Sequence, residues 1–286
     1  MKFRFIHQQA KRHSVKGLCQ VLGVSRSGYY AWRRRSPNTR ELANEVLMHL
    51  IRLIYKGSRR TYGYRRVHAE VKKQMKCSRN RVARLMRQAE LYSRRRRRYR
   101  VTTQSRHKKP VAKNHLARTF SATAPNRKWV SDITYIKTDE GWLYLSALMD
   151  LYSRKVVGWA METRLTDDLT IKALDMALGR RRPPPGLVHH SDRGSQYASS
   201  KYQAHLKEAE AIASMSRTGN AYDNAPIESF FATLKTELIH HRRYRTRYEA
   251  KVDIFEYIEV FYNRRRLHSA LKYRSPEEFE MLAVSS

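Results

Sequence analysis

The stretch KWVSDITYIKT, Lys128 to Thr138, decides the reading of this chain. Its residues alternate, with Val130, Asp132, Thr134 and Ile136 on one side and Trp129, Ser131, Ile133 and Tyr135 on the other, the period of a β-strand. Asp132 thus points the same way as apolar neighbours. An unpaired carboxylate on an inward face is costly unless something positive meets it, so its setting alone makes Asp132 a functional candidate.

Working outward, GWLYLSALMDLYSR and KVVGWAMET read as two more strands of an antiparallel meander. TDDLTIKALDMALGRR predicts a helix with Ile171, Leu174 and Leu178 inward, capped by Thr166 or Asp167, and PPPGLVHHSD breaks it and opens a fourth strand that Asp192 ends. SSKYQAHLKEAEA predicts a helix, IASMSR a short strand and TGNAYDNA a loop. Pro226 then opens PIESFFATLKTEL, a helix whose core stripe is Ile227, Phe230, Phe231, Leu234 and Leu238, with Asn224 as a cap. Glu228 falls at the edge of that stripe, in the first turn, where an acid by itself is commonplace. The order βββαβαβα predicts an α/β fold, a mixed sheet flanked by helices. Asp132, Asp192 and Glu228 could converge on one edge of that sheet, where three carboxylates would repel one another and need a cation.

Charge divides the chain. Of 286 residues, 59 are Lys or Arg and 25 are Asp or Glu, a net +34 that points to a polyanionic partner. Residues 1–92 hold 23 basic side chains against 4 acids, residues 93–128 hold 13 against none, and residues 129–286 hold 23 against 21. The acid-poor stretch 93–128 reads as a polybasic linker with a run at Arg94, Arg95, Arg96, Arg97 and Arg98 suited to phosphate contact. Two cysteines, Cys19 and Cys77, form no CxxC pair, which excludes a cysteine-based zinc site and suggests a reducing compartment. The N-terminus has no apolar core of a signal peptide, and no run approaches ~18 apolar residues, so a cytoplasmic protein without membrane contact is expected.

The first 92 residues carry two candidate DNA-reading units. SVKGLCQVLGVSRSGYYAWRRR places Val15, Leu18, Cys19 and Leu22 on one helical face, breaks at Gly23 and restarts with Ser25 or Ser27 as N-cap, the spacing of a helix-turn-helix. Its second helix would present Arg26, Ser27 and Tyr29 to DNA. In the second unit, YGYRRVHAEVKKQM buries Val67 and Val71 and carries Arg65 and Arg66, and Ser78 caps RNRVARLMRQAEL, which carries Arg79 and Arg81 and buries Val82, Leu85, Met86 and Ala89.

The blocks WVSDITY, HSDRGSQY, MSRTGNAYDNAPIESFFATLKTE and YIEVFYNRRRLHSALKYRSPEEF, from about residue 125 to the end and in order, resemble the catalytic protein (OrfB type) of the insertion-sequence-three family of bacterial transposases. The N-terminal blocks resemble the same family's helix-turn-helix region. Asp132, Asp192 and Glu228 fall on its DDE triad, and the 35 residues between Asp192 and Glu228 match its DD(35)E spacing, shared with retroviral integrases. One departure is Glu210-Ala211, where relatives often carry a glycine.

The resemblance implies an RNase H-like core over residues 129–240, preceded by small all-α helix-turn-helix units (1–92) and the linker (93–128), and followed by a helical extension packed on the core (241–286). It implies Mg²⁺, two ions with Mn²⁺ as a substitute, held by the three acids, and cleavage and strand transfer at insertion-sequence ends. Its partners would be double-stranded DNA, an upstream OrfA product fused to or joined with this chain, and further copies of the chain assembled on DNA. Lys235, nearly two turns after Glu228, could hold a phosphate beside the metal, with Arg193, Gln196, Arg217 and Asn220 as further DNA contacts.

Two alternatives compete: a non-enzymatic DNA-binding protein or decayed transposase, and a tyrosine recombinase built on HHRRY at His240 to Tyr244 with Tyr273. The paired His189 and His190 face opposite ways on a strand and do not suit one Mg²⁺. The aromatic run IFEYIEVFYN reads as a packing helix, with NRRRLH a basic patch beyond it.

Overall fold

The computed structural model describes residues 1–34, 38–94, 110–217 and 221–284. Arg95 to Arg98 and Asn220 lie outside these. Among the described residues six helices precede the first strand: α1 (Lys2–Gln9), α2 (Val15–Val21), α3 (Arg26–Arg34), α4 (Thr39–Gly57), α5 (Tyr64–Lys72) and α6 (Arg79–Gln88). They form two groups. The first three share a small core of Ile6, Cys19 and Tyr29. Ser25 caps α3, its Oγ accepting from the Gly28 amide at 3.0 Å. The second group, α4 to α6, packs on itself and is also continuous with the rest of the molecule. Leu47 and Ile51 of α4, Val67 and Val71 of α5 and Val82, Leu85 and Met86 of α6 belong to one apolar cluster with the strands that follow. The longest of the six, α4, starts at a capping box in which Asn38 and Glu41 satisfy each other's backbone amides.

Strands β1 (Lys128–Thr138), β2 (Gly141–Asp150), β3 (Val156–Glu162), β4 (Val188–Ser191) and β5 (Ile212–Met215) form a sheet in the order β3-β2-β1-β4-β5. The β1–β2 and β2–β3 pairs are antiparallel, while β1–β4 and β4–β5 are parallel. Helix α7 (Asp167–Arg181) makes the crossover into β4, α8 (Ser200–Glu208) that into β5, and α9 (Ala225–Glu237) ends the βββαβαβα series. This is the RNase H-like α/β fold. A helix α10 (Arg247–Glu256) running into a π-helical stretch (Tyr257–Tyr262), then α11 (Pro276–Val284), complete the chain.

The sheet separates two cores, as the alternation in β1 requires. Val130 and Ile136 join Ile227, Phe230, Phe231 and Leu234 of α9 and the aromatic run of 257–262 on one face. Trp129 joins Leu169, Ala173, Leu174 and Ala177 of α7 and Tyr202 of α8 on the other. The inward stripe of α7 is thus rotated from the one expected, with Ile171 and Leu178 only partly buried. The cause is Gly158 in β3, which lets α7 approach so closely that a Cβ there would overlap the carbonyl of Ala173 and the backbone N and Cβ of Ala177. Thr166 precedes α7 without a side-chain capping bond.

Other expectations also shift. Residues 110–127, expected as linker, pack on the sheet: Leu116 is buried, and the His115 amide donates to Ser214 Oγ at 2.9 Å. Arg266, expected in a surface basic patch, is buried, with two bonds to the carboxylate of Glu237 at 2.7 and 2.8 Å. Burial disfavours its charge, but Glu237 outweighs that and keeps it protonated. No helix among the described residues is long and apolar enough to cross a membrane.

Two substitutions should move stability in opposite directions. Gly158→Ala overpacks the α7–β3 contact and should cost about 1–3 kcal/mol or more. Glu210 ends the turn after α8 at φ 51°, a left-handed conformation that penalises a side chain, so Glu210→Gly should stabilise by up to about 1 kcal/mol. Thermal melts of the two variants beside wild type check both signs.

Candidate active site

The site begins with strand register. The parallel β1–β4 pairing ends at Ser131 opposite Ser191, so Asp132 and Asp192 are the next residues of adjacent strands and leave the pairing side by side. Asp192 lies one residue beyond the strand it was expected to end. The Asp132 carboxylate accepts from its neighbour's amide, Ile133, at 2.7 Å, and Asp192 Oδ1 accepts from the Gly194 amide at 2.9 Å.

Glu228 reaches this edge because α9 is docked on β1. Its stripe Ile227, Phe230, Phe231, Leu234 is buried as the periodicity implied. Asn224, expected to cap the helix, makes no capping bond. Its buried amide instead donates to the Ser131 carbonyl at 2.9 Å, one residue before Asp132. Glu228, one turn into the helix, stands at the exposed rim.

The three acids sense one another. Burial and then the Asp192 charge push Asp132 well above the usual carboxylate range, with a smaller push from Glu228, against the Ile133 amide and Lys235. Partial desolvation and then Asp192 raise Glu228. Among the described residues no three His, Cys, Asp or Glu side chains are gathered closely enough to enclose one ion.

A fourth acid, missed from sequence, organises the loop before α9. Asp223 is fully buried in the 3-10 turn Ala221–Asn224 and accepts from Asn114 Nδ2 (2.9 Å), Arg118 Nε (3.1 Å) and the amide, Nε and Nη2 of Arg217 (2.9, 3.1 and 2.9 Å). Arg217 above all holds its carboxyl far below the ordinary range. The only sequence signal was an acid beside a helix start, and two of its partners, Asn114 and Arg118, lie about a hundred residues away in the supposed linker.

The remaining expected contacts divide into those turned outward and those used inside. Arg26, Ser27, Arg65 and Arg79 are exposed, and Gln196 is half-buried. Tyr29 is not a surface residue: it is buried in the α1–α3 core, with its hydroxyl 3.3 Å from His7 Nδ1. Lys235 is likewise buried rather than exposed. Its ammonium lies 5.0 Å from the Tyr135 ring and close enough to Asp132 to interact. Burial lowers its pKa, which Asp132 partly restores. Arg193 Nε donates to the Ser216 carbonyl at 2.7 Å, and Arg217 is taken up by Asp223. Arg81 Nε donates to Asn44 of α4 at 2.8 Å, Arg66 faces Glu237 at 4.0 Å and the Tyr62 ring, and Arg94 donates to the Glu237 carbonyl.

The histidines beside Asp192 are interior groups. His190 bonds Ser214 and Ser216 at 2.8 and 3.1 Å, and His189 bonds the Tyr202 hydroxyl at 2.9 Å. Burial lowers His189 to about 3 and His190 to about 4, so both are neutral at physiological pH. Arg242 and Arg243 line a different cleft from Tyr273, which leaves the tyrosine-recombinase alternative without an assembled site.

A sheet edge with two strand aspartates and a helix glutamate, behind a basic helical region, can now be compared with known proteins. Family models described as "Integrase core domain" match residues 122–221 and 228–282, and one described as "HTH-like domain" matches 41–99. The transposase InsF for insertion sequence IS3A of Escherichia coli K12 is 41% identical over 98% of both chains. The chain belongs to the IS3 family of transposases. An insertion element IS600 31 kDa protein of Shigella sonnei is 49% identical over 92% of this chain and 97% of its own. Among solved structures, the HTLV-2 integrase catalytic core domain in complex with magnesium aligns with 56% of the transposase and 99% of its own chain, at 16% identity and a TM-score of 0.44. The transposase is an enzyme of the polynucleotidyl transferase type with DNA as its partner. Its HTH-like match covers α4 to α6, the second of the two candidate units, and not α2–α3.

The Asp223 clamp gives a prediction. Asp223→Asn keeps the shape but loses the charge that Arg217 and Arg118 meet, and should cost about 1.5–3 kcal/mol at neutral pH. Because the folded carboxyl titrates below its ordinary 3.8, its contribution is complete above that pH and is lost as pH falls below it. Chemical denaturation of wild type and variant across pH should show a gap that narrows on the acid side of 3.8.

Proposed function

We propose that Asp132, Asp192 and Glu228 form the catalytic centre of the transposase, hold divalent metal ions, and carry out DNA strand cleavage and strand transfer at the ends of an insertion sequence. The observation that supports it best is the mutual destabilisation of three carboxylates at one sheet edge, with Asp132 driven well above its ordinary range by burial and by Asp192. Carboxylates raised in this way by burial and by one another cluster at functional sites.

The donor set fits the group proposed. All three side chains offer only oxygen, which suits Mg²⁺, with Mn²⁺ as substitute, and the neutral histidines nearby are committed to Ser214, Ser216 and Tyr202. A pair of such ions would offset charge on the attacking and leaving oxygens of the phosphodiester. The protein's own part is positioning. β1 and β4 set Asp132 and Asp192 side by side, α9 supplies Glu228 from a third direction, and the Lys235 charge behind Asp132 favours its ionised form. Arg193 and Arg217, already bonded to Ser216 and Asp223, keep the loops beside the acids in place and present positive charge to a phosphate.

In this proposal residues 1–92 bind the transposon end, with Arg26, Ser27, Arg65 and Arg79 turned toward DNA. Arg95 to Arg98 contact the DNA backbone, residues 110–127 pack on the core, residues 129–240 hold the chemistry, and 241–286 brace it. The enzyme acts in the bacterial cytoplasm on nucleoid DNA, joined to an OrfA product and assembled with further copies on DNA.

Asp132→Asn, Asp192→Asn and Glu228→Gln should each abolish Mg²⁺-dependent nicking and strand transfer on a terminal-repeat duplex, with binding to that duplex retained. Combining them should cost little more than one alone, since the groups act as a unit. Near-normal nicking by any single variant overturns the assignment.

A further inference from the structure

Two clefts meet on the side of the molecule that carries α5. One, of about 410 Å³, is lined by six cations, Arg65, Lys72, Lys73, Arg79, Lys272 and Arg274, and by no acid. The other, of about 420 Å³, shares Arg65 and Tyr273 with it and runs on to Ala232, Thr233 and Thr236 of α9. Ala232 is one helical turn from Glu228 and on the same face. The two clefts adjoin at Arg65 and Tyr273, and together they reach from the basic face of α5 to the helix that carries Glu228.

The far wall of this groove comes from the other end of the chain. The turn from Ser269 to Arg274 closes with the His268 amide bonded to the Arg274 carbonyl at 3.0 Å and the Tyr273 amide to the His268 carbonyl at 2.9 Å. Lys272 and Tyr273 both take the left-handed conformation, at φ 53° and 59°, and neither is glycine. Two successive strained residues persist only where flanking structure fixes them, here by the buried Leu271 and Ser275. Lys272 and Arg274 are exposed. Among the described residues none of Arg65, Lys72, Arg79, Lys272 and Arg274 is ion-paired. Among the described residues the acids beside the clefts are already met by cations, Glu237 by Arg266 and Glu70 by Lys73. A groove with walls of a single sign concentrates its field on an anion.

We propose that this turn is a DNA-backbone clamp: Lys272 and Arg274 grip phosphates of the duplex whose other side lies on α5, with Tyr273 at the junction, and so deliver one strand to Glu228. The inference rests on the reading of the protein as a transposase that binds terminal DNA, and adds a contact from its C-terminal extension. Helical region and extension then form one binding surface, so that recognition of the end fixes the distance to the cutting site.

The test measures anisotropy of a fluorescein-labelled duplex carrying the terminal repeat, and of a scrambled duplex, across a salt series. Lys272→Gln with Arg274→Gln should weaken both duplexes alike, by about tenfold or more near 0.1 M salt, and reduce the slope of log K against log salt by about 2. Lys272→Arg with Arg274→Lys should restore slope and affinity. In the wild-type chain, bound duplex should protect Lys272 from acetylation, read by mass spectrometry, which needs no variant to fold. An unchanged slope in a folded double-Gln variant, or Lys272 acetylated equally with and without DNA, overturns the clamp while leaving the transposase reading intact. Salt-insensitive binding by wild type itself overturns both.

Discussion

The site depends on how α9 is held against β1. The Asn224 amide on the Ser131 carbonyl fixes the start of the helix beside Asp132, and the stripe of Ile227, Phe230, Phe231 and Leu234 fixes its rotation. Apolar burial on one face of the helix is what opposes carboxylate repulsion at its edge: each large side chain in that stripe is worth roughly 1.5–3 kcal/mol on burial. Against this, a partly solvated repulsion among three acids is affordable. The same rotation turns Lys235 inward, where Tyr135 and Asp132 receive it, instead of outward as an ordinary helix lysine.

The far end of α9 is tied by a different device. Glu237 is buried, takes both Arg266 bonds and accepts from the Tyr257 hydroxyl at 2.8 Å. Tyr62, just before α5, donates to the Arg265 carbonyl at 3.1 Å and accepts from the Leu267 amide at 2.7 Å. Helical region, α9 and C-terminal extension thus meet at one buried polar knot within a shared apolar cluster. Breaking one partner of such a pair leaves a buried charge exposed to a medium that cannot solvate it. The knot therefore specifies one arrangement of three sequence-distant parts more strictly than apolar contact alone would.

Much of this was legible in the sequence. Strand alternation in β1, the caps at Ser25 and Ser78, the valines of α5 and the stripe of α9 are local patterns, and local sterics and burial decide them. Patterns failed where a neighbour overrode them. Gly158 rotated the inward face of α7, Asp223 drew Arg217 and Arg118 into the loop before α9, and Tyr29 and Arg266, typical of surfaces in so basic a chain, became interior. The left-handed Glu210 shows the converse, since its place is one where a glycine would fit without strain.

By itself the sequence determined the element order, the two-sided character of β1, the concentration of positive charge before residue 129 and the spacing of Asp132, Asp192 and Glu228, because each is a property of neighbours along the chain or of composition. The tertiary structure alone decided that Asp132 and Asp192 leave adjacent parallel strands together, that Asn224 docks a helix instead of capping it, and that Lys272 and Arg274 stand across a groove from Arg65. These depend on pairing register, helix rotation and long-range polar bonds, and such choices are made by burial and electrostatics among residues far apart in sequence, which no local pattern records.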